Sequence, residues 1–197
     1  MTGRQIGLLC ISFLAVVLVL PHDWPVSRYA TSVWAIETET GYCSATLVGA
    51  NGMYLTASHC VDPGETPKTR SNGAVMKEVL RDAKADLLVL QAPPLGVPLL
   101  VAARVPRAGE EVLQLGYGLQ SKIITALAGR WIGMVEDGVT VIDGGTIIGM
   151  SGGPVVNRQG QIVGLVHAAI IAPNTMYQVT QVTALGPIQA AVKQFAR

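Results

Sequence analysis

Aromatic side chains are scarce in this 197-residue chain, at 5%, and charged side chains make up only 14%. With a formal net charge of +1 it has no basic field of the kind nucleic acid selects, and no acidic tail for a basic partner. No internal repeat and no low-complexity tract interrupts it, so a solenoid or a disordered linker is not expected. There are three cysteines; Cys43 and Cys60 with His59 between them have no fourth ligand at sensible spacing, so no metal and no cofactor is expected. Only one long apolar run exists. It covers residues 6–20, short of the roughly 20 residues a membrane helix wants.

Arg4 and the N-terminal amine give that run a weak positive flank, as at the start of a secretory signal. Small residues do not follow it closely, because Leu18, Leu20 and Pro21 stand where a cleavage site needs them. The expectation is therefore an uncleaved hydrophobic helix within residues 1–25, ahead of a cleaved signal, with His22 and Trp24 at the interface. Either form exports the rest of the chain, as a membrane-anchored extracytoplasmic domain or as a secreted or periplasmic one.

Glycine and proline are what the sequence does have. Twenty-two glycines and eleven prolines punctuate short β-type runs at 33–37, 44–48, 53–57, 75–80, 87–91, 99–102, 111–115, 122–126, 130–135, 139–142, 155–156, 162–167 and 176–181. Asn72-Gly73 and Asp137-Gly138 have hairpin chemistry. Ile188, Ala191, Val192 and Phe195 recur at helical spacing behind Pro187, which is tolerated near a helix start. This pattern predicts an all-β domain over 26–197 with a C-terminal helix at about 187–196. The Pro93-Pro94-Leu95-Gly96-Val97-Pro98 segment is the expected seam between halves at about 32–95 and 99–183.

Within that frame, Gly149-Met150-Ser151-Gly152-Gly153-Pro154 places a serine between glycines. Such a turn can present a nucleophile together with bare N–H groups, here those of Gly149 and Ser151, for an oxyanion. Serine needs a base. His59 ends a strand-like run next to Cys60, and a Cys43–Cys60 bridge would clamp it by closing a loop of about 18 residues, worth on the order of 3 kcal/mol. Such a bridge persists in an oxidising compartment, in keeping with export. Asp86 opens the apolar run Asp86-Leu87-Leu88-Val89-Leu90, where a half-buried carboxylate needs a partner. Asp82 lies in a polar stretch and reads as a solvated turn.

With His59, Asp86 and Ser151 in that order, the chain resembles the trypsin-like serine peptidases from Val33 onward. Leu55-Thr56-Ala57-Ser58-His59-Cys60, Asp86-Leu87-Leu88-Val89-Leu90 and the run from Gly109 to Gly118 look like that family's histidine, aspartate and second-barrel opening strands. The run from Asp143 to Asn157 is similar in spacing to the serine segment of bacterial HtrA-type members. The resemblance implies two six-stranded antiparallel β-barrels with a His59–Asp86–Ser151 triad between them, acting on a protein or peptide substrate. Met150 stands where digestive members keep an aspartate for a newly cut N-terminus, so no zymogen switch is implied. The 46 residues after Ser151 leave no room for a PDZ domain, so trimeric assembly does not carry over.

The resemblance also places Gly145, Thr146, Val166, His167, Ala168 and Ala169 around the substrate pocket. Gly145 replaces the aspartate of tryptic enzymes, so a small or medium apolar preference is expected. His167 is open between a pocket role, contact near Asp86 and a structural role, because one residue along a strand reverses the face. A catalytically silent binding module and an esterase are the alternatives to an endopeptidase. The glycine-rich serine segment argues against the first, and the lack of a G-x-S-x-G elbow argues against the second.

Overall fold

The computed structural model describes residues 24–39, 41–135, 139–171 and 178–195. The expected signal or anchor at 6–20 lies outside the described residues, as do the Asp137-Gly138 turn and the first part of the run at 176–181. Among the described residues no helix is long and apolar enough to cross a membrane.

Twelve strands form two units. The first contains β1 (Val33–Glu37), β2 (Tyr42–Gly49), β3 (Met53–Thr56), β4 (Lys68–Thr69), β5 (Lys77–Asp82) and β6 (Leu87–Gln91). The second contains β7 (Glu111–Gly116), β8 (Thr125–Met134), β9 (Thr140–Asp143), β10 (Pro154–Val156), β11 (Ile162–Ile171) and β12 (Gln178–Thr183). Helix α1 (Leu185–Phe195) closes the described chain. All the strand ladders are antiparallel.

The second unit is a closed barrel in the order β10-β11-β12-β9-β8-β7, whereas the first is a curled sheet in the order β4-β1-β2-β3-β6-β5. The two six-stranded antiparallel units and the C-terminal helix are those the resemblance implies, the first as a half-barrel. The first stays open because β4 is only two residues long, and an isolated Lys68–Val75 bridge lies across the gap. The run at 99–102 is not a strand but an irregular segment with one parallel bridge, Val101–Ile162. The runs at 122–126 and 130–135 belong to the single strand β8, which passes through Gly129 without a turn.

Strand β6 shows why such short runs are so apolar. Leu87 and Val89 face the cluster shared by both units, with Leu113, Leu115, Val156, Leu165 and Ile188, while Leu88 and Leu90 face the interior of the first sheet. A strand buried on both faces loses the apolar–polar alternation. Inside the barrel Val112, Trp131, Ile142, Val155, Val166 and Met150 form a third cluster. Helix α1 lays Ile188 and Ala191 on the shared cluster, as its spacing predicts. The linker between the units is pinned by Tyr54, whose hydroxyl donates to the Pro93 carbonyl and accepts from the Leu95 N–H.

Candidate active site

His59 follows β3 in a short 3-10 turn, Ser58–Cys60, and the Cys43–Cys60 disulfide ties that turn to β2 across a separation of 17 residues. Arg81 braces the turn from below, its guanidinium donating to the carbonyls of Ser58 and Val61 at 2.8 Å each. The His59 ring is therefore held at its base while its side chain remains 46% exposed.

Asp86 ends the turn between β5 and β6 with φ 51, a left-handed conformation that aspartate tolerates better than most residues. Asp82 shapes that turn by accepting hydrogen bonds from the N–H groups of Lys84 and Ala85, which is the role its polar setting suggested. The Asp86 side chain is buried and well satisfied. Its Oδ1 accepts from Ser58 Oγ and from the His59 N–H, both at 2.9 Å. Its Oδ2 meets His59 Nδ1 at 2.8 Å. Burial pushes the Asp86 carboxyl up, but the hydrogen bonds from the His59 ring and main chain, aided by the two nearby imidazoles, outweigh it and leave it below the usual range.

Ser151 comes from the loop before β10, in the second unit. The first unit grips this loop from β2. Ser44 N–H donates to the Ser151 carbonyl at 2.8 Å, Ser44 Oγ donates to the Gly149 carbonyl at 2.8 Å, and Thr46 Oγ1 donates to the Gly152 carbonyl at 3.1 Å. Gly149 has φ 97, and Gly152 has φ 79 with Thr56 and Ser44 so near that any Cβ would collide with them. The N–H groups of Gly149 and Ser151 make no main-chain hydrogen bond among the described residues. The Ser151 hydroxyl donates to the carbonyl of His167 at 3.1 Å, not to the His59 ring.

His167 faces Asp86. Its Nε2 lies 3.1 Å from Asp86 Oδ2, and its ring stacks on His59 with centroids 5.6 Å apart. Burial lowers the His167 pKa, with the His59 charge adding to the effect and the Asp86 charge opposing it. The other expected pocket residues separate. Val166 is fully buried in the barrel cluster, while Ala168 and Ala169 continue β11 toward solvent. Gly145 and Thr146 lie against Gln178 of β12, and a Cβ on Gly145 would come within 2.4 Å of the Gln178 amide oxygen. Gln114 donates to the Gly145 carbonyl at 3.1 Å, and Thr180 to that of Gly144 at 2.8 Å.

Ser44, Thr46, Ser58, Gln114 and Gln178 were not singled out from the sequence. Each is a polar residue inside a strand or beside the histidine, and a buried polar residue in an apolar run is the one signal that marked them. Among the described residues two groups offer metal-ligand chemistry. Cys43, His59 and Cys60 cluster, but both sulfurs are in the disulfide; His59, Asp86 and His167 each present a ligand atom within 4.8 Å of the others. An ion at the second group would compete with the His59–Asp86 hydrogen bond.

Comparison with known proteins places this arrangement. Serine protease HTRA1B of Danio rerio is 26% identical over 174 residues, covering 78% of this chain and 36% of that protein. Serine protease HTRA1 of Xenopus laevis is 30% identical over 138 residues, covering 62% of this chain and 30% of that protein. The chain thus spans about a third of the length of the curated relatives it matches. Among solved structures, the active form of the Rv3671c protease from M. tuberculosis superposes with a TM-score of 0.72 at 22% identity, covering 85% of this chain and 82% of that one. The serine endoprotease from Yersinia pestis gives a TM-score of 0.71 at 20% identity, over 87% of this chain and 65% of that one. The family model for the trypsin-like peptidase domain matches residues 43–165, and the chain belongs to that family, with HtrA-like serine proteases as its relatives.

Proposed function

We propose that the chain is a serine endopeptidase that cleaves peptide bonds in proteins or peptides through His59, Asp86 and Ser151. The observation that carries this reading is the 2.8 Å contact between His59 Nδ1 and the buried Asp86 carboxylate. It leaves His59 Nε2 as the free basic nitrogen, turned away from Asp86. Substrate binding draws the Ser151 hydroxyl from the His167 carbonyl to His59 Nε2, a contact that is often formed only in the bound complex. Ser151 Oγ then bonds to the scissile carbonyl carbon as its proton passes to His59, and the N–H groups of Gly149 and Ser151 hold the oxyanion. The tetrahedral intermediate collapses, the C–N bond breaks, and His59 returns the proton to the leaving amine. Water repeats the sequence on the acyl-enzyme, and Asp86 stabilises the imidazolium in both halves.

The neutral Gln178 amide against Gly145 supports a small or medium apolar side chain before the cut. Export, as a secreted or membrane-tethered enzyme, is supported by the disulfide and by the apolar run at 6–20.

A fluorophosphonate probe should label wild-type protein and not Ser151→Ala, and only the wild type should cleave a peptide library. One observation favours a second reading, a silent binding module: the Ser151 hydroxyl rests on His167 rather than on the base. Absence of labelling in a folded wild-type protein would select that reading. Turnover of esters without peptides would select an esterase.

A further inference from the structure

The ladder between β11 and β12 slips at one place. Val166 pairs with Val182 and Ala168 with Gln181, so His167 is the extra residue of a β-bulge. A bulge re-aims the side chain it carries, and bulges concentrate beside active sites. This one turns His167 off the face its strand position would give it and sets it against all three residues of the candidate triad. Its Nε2 approaches Asp86 Oδ2, its ring stacks on His59, and its carbonyl takes the Ser151 hydroxyl.

Resting on the peptidase reading, we propose that His167 is a positioning residue that shares the Asp86 carboxylate with His59 and thereby lowers the pH at which His59 takes up a proton. Asp86 Oδ2 therefore faces two imidazoles, His59 through a hydrogen bond at 2.8 Å and His167 at 3.1 Å as an electrostatic neighbour without one. The negative potential available to stabilise a charged His59 is divided between them, and the neutral, half-buried His167 ring keeps water from the same oxygen.

A proton on His167 acts in the same direction, because a cation stacked on His59 opposes a second one. The charged groups around the His167 ring are Asp86 on the turn before β6, His59 on the turn after β3, and Lys84, which borders the same recess beside Thr140 and Gln181. Arg81 is engaged elsewhere, by the carbonyls of Ser58 and Val61.

The test measures kcat/KM against pH for wild type, His167→Phe and His167→Gln. Phenylalanine keeps a ring but offers no N–H; glutamine offers an N–H that does not titrate. The acid limb should move up by about half a unit to one unit in His167→Phe, the scale expected for one dipole or screened charge at this range. In His167→Gln it should stay nearer to wild type. Histidine NMR titration in the Ser151→Ala background supplies a readout without turnover: the His59 titration should move to higher pH once His167 is replaced. Active wild type with coincident acid limbs and an unshifted His59 titration overturns the proposal. Coupled NMR titrations in a protein that neither labels nor cleaves would leave His167 sharing Asp86 and overturn the peptidase reading instead.

Discussion

Asp86 shows how much one side chain can depend on its neighbours. A buried carboxylate is costly unless its lone pairs are met, and here Ser58 and the His59 main chain meet one oxygen while His59 and His167 crowd the other. Replacing it with asparagine keeps the size but offers an N–H₂ where an acceptor is needed, and lets His59 take the wrong tautomer. Asp86→Asn should lose roughly 10⁴-fold in kcat, by analogy with the same change in this class of triad, while remaining folded by circular dichroism. Stability should also respond to pH in two windows. The folded-state pKa of His167 is depressed, so the unfolded chain binds more protons below its ordinary value of 6.5, and stability falls as pH drops from there to the folded value. The Asp86 pKa is depressed too; its contribution is present above the ordinary value of 3.8 and is lost as pH falls through the folded value. Thermal melts from pH 8 to 3 should show both declines, and His167→Gln should remove only the upper one. Asp86 itself was legible in the sequence, since a carboxylate opening an apolar run asks for a partner. Its left-handed backbone was not, because it leaves no mark in residue order, and its second imidazole was one of three roles the sequence left open for His167.

At the scale of elements, the loop that carries Ser151 is only as well placed as the strand that holds it. Ser44 on β2 uses its hydroxyl twice, donating to the Gly149 carbonyl and accepting from the Tyr117 N–H, and both bonds reach into the second unit. Ser44→Ala leaves both partners unmet in a water-poor site, at a cost of about 1–3 kcal/mol. That should lower Tm by several degrees and slow fluorophosphonate labelling of Ser151, whereas Ser71→Ala, on an exposed turn, should change neither. A labelling rate unchanged in Ser44→Ala would mean the loop holds its shape without β2. Strands β1 and β6 were legible to the residue because four apolar residues run together in each before a polar one, Glu37 or Gln91, ends it. The short β4 and the β11 bulge were invisible: two residues carry no period, and a bulge is fixed by its partner strand rather than by its own sequence. The sequence runs at 122–126 and 130–135 were read apart, with Gly129 in the interval between them. In the barrel that glycine lets the strand pass close to the Asp143 carbonyl, 2.3 Å from where a Cβ would stand.

Across the whole molecule, the proposed base and nucleophile come from different units, so the proposed activity depends on how firmly the open sheet is fixed to the closed barrel. The shared apolar cluster supplies most of the attachment, but it is non-directional and does not set the site to within an ångström. The disulfide is placed to do that. It joins β2, which holds the serine loop, to the turn that carries His59, and the Cys60 sulfur lies 3.8 Å from the Ser151 carbonyl oxygen. Breaking it should have two separable effects. Opening a loop of this length should cost on the order of 3 kcal/mol of stability, lowering Tm by about 6–12 °C for a chain of this size. The freed histidine turn should also slow Ser151 labelling at temperatures where the reduced protein is still fully folded. Measuring melts and labelling for wild type, with and without dithiothreitol, and for the Cys43→Ser/Cys60→Ser double variant separates the two. A lower Tm with an unchanged labelling rate would make the bridge a stabiliser alone. Slower labelling at full foldedness would show that the bridge also aligns the two halves of the site.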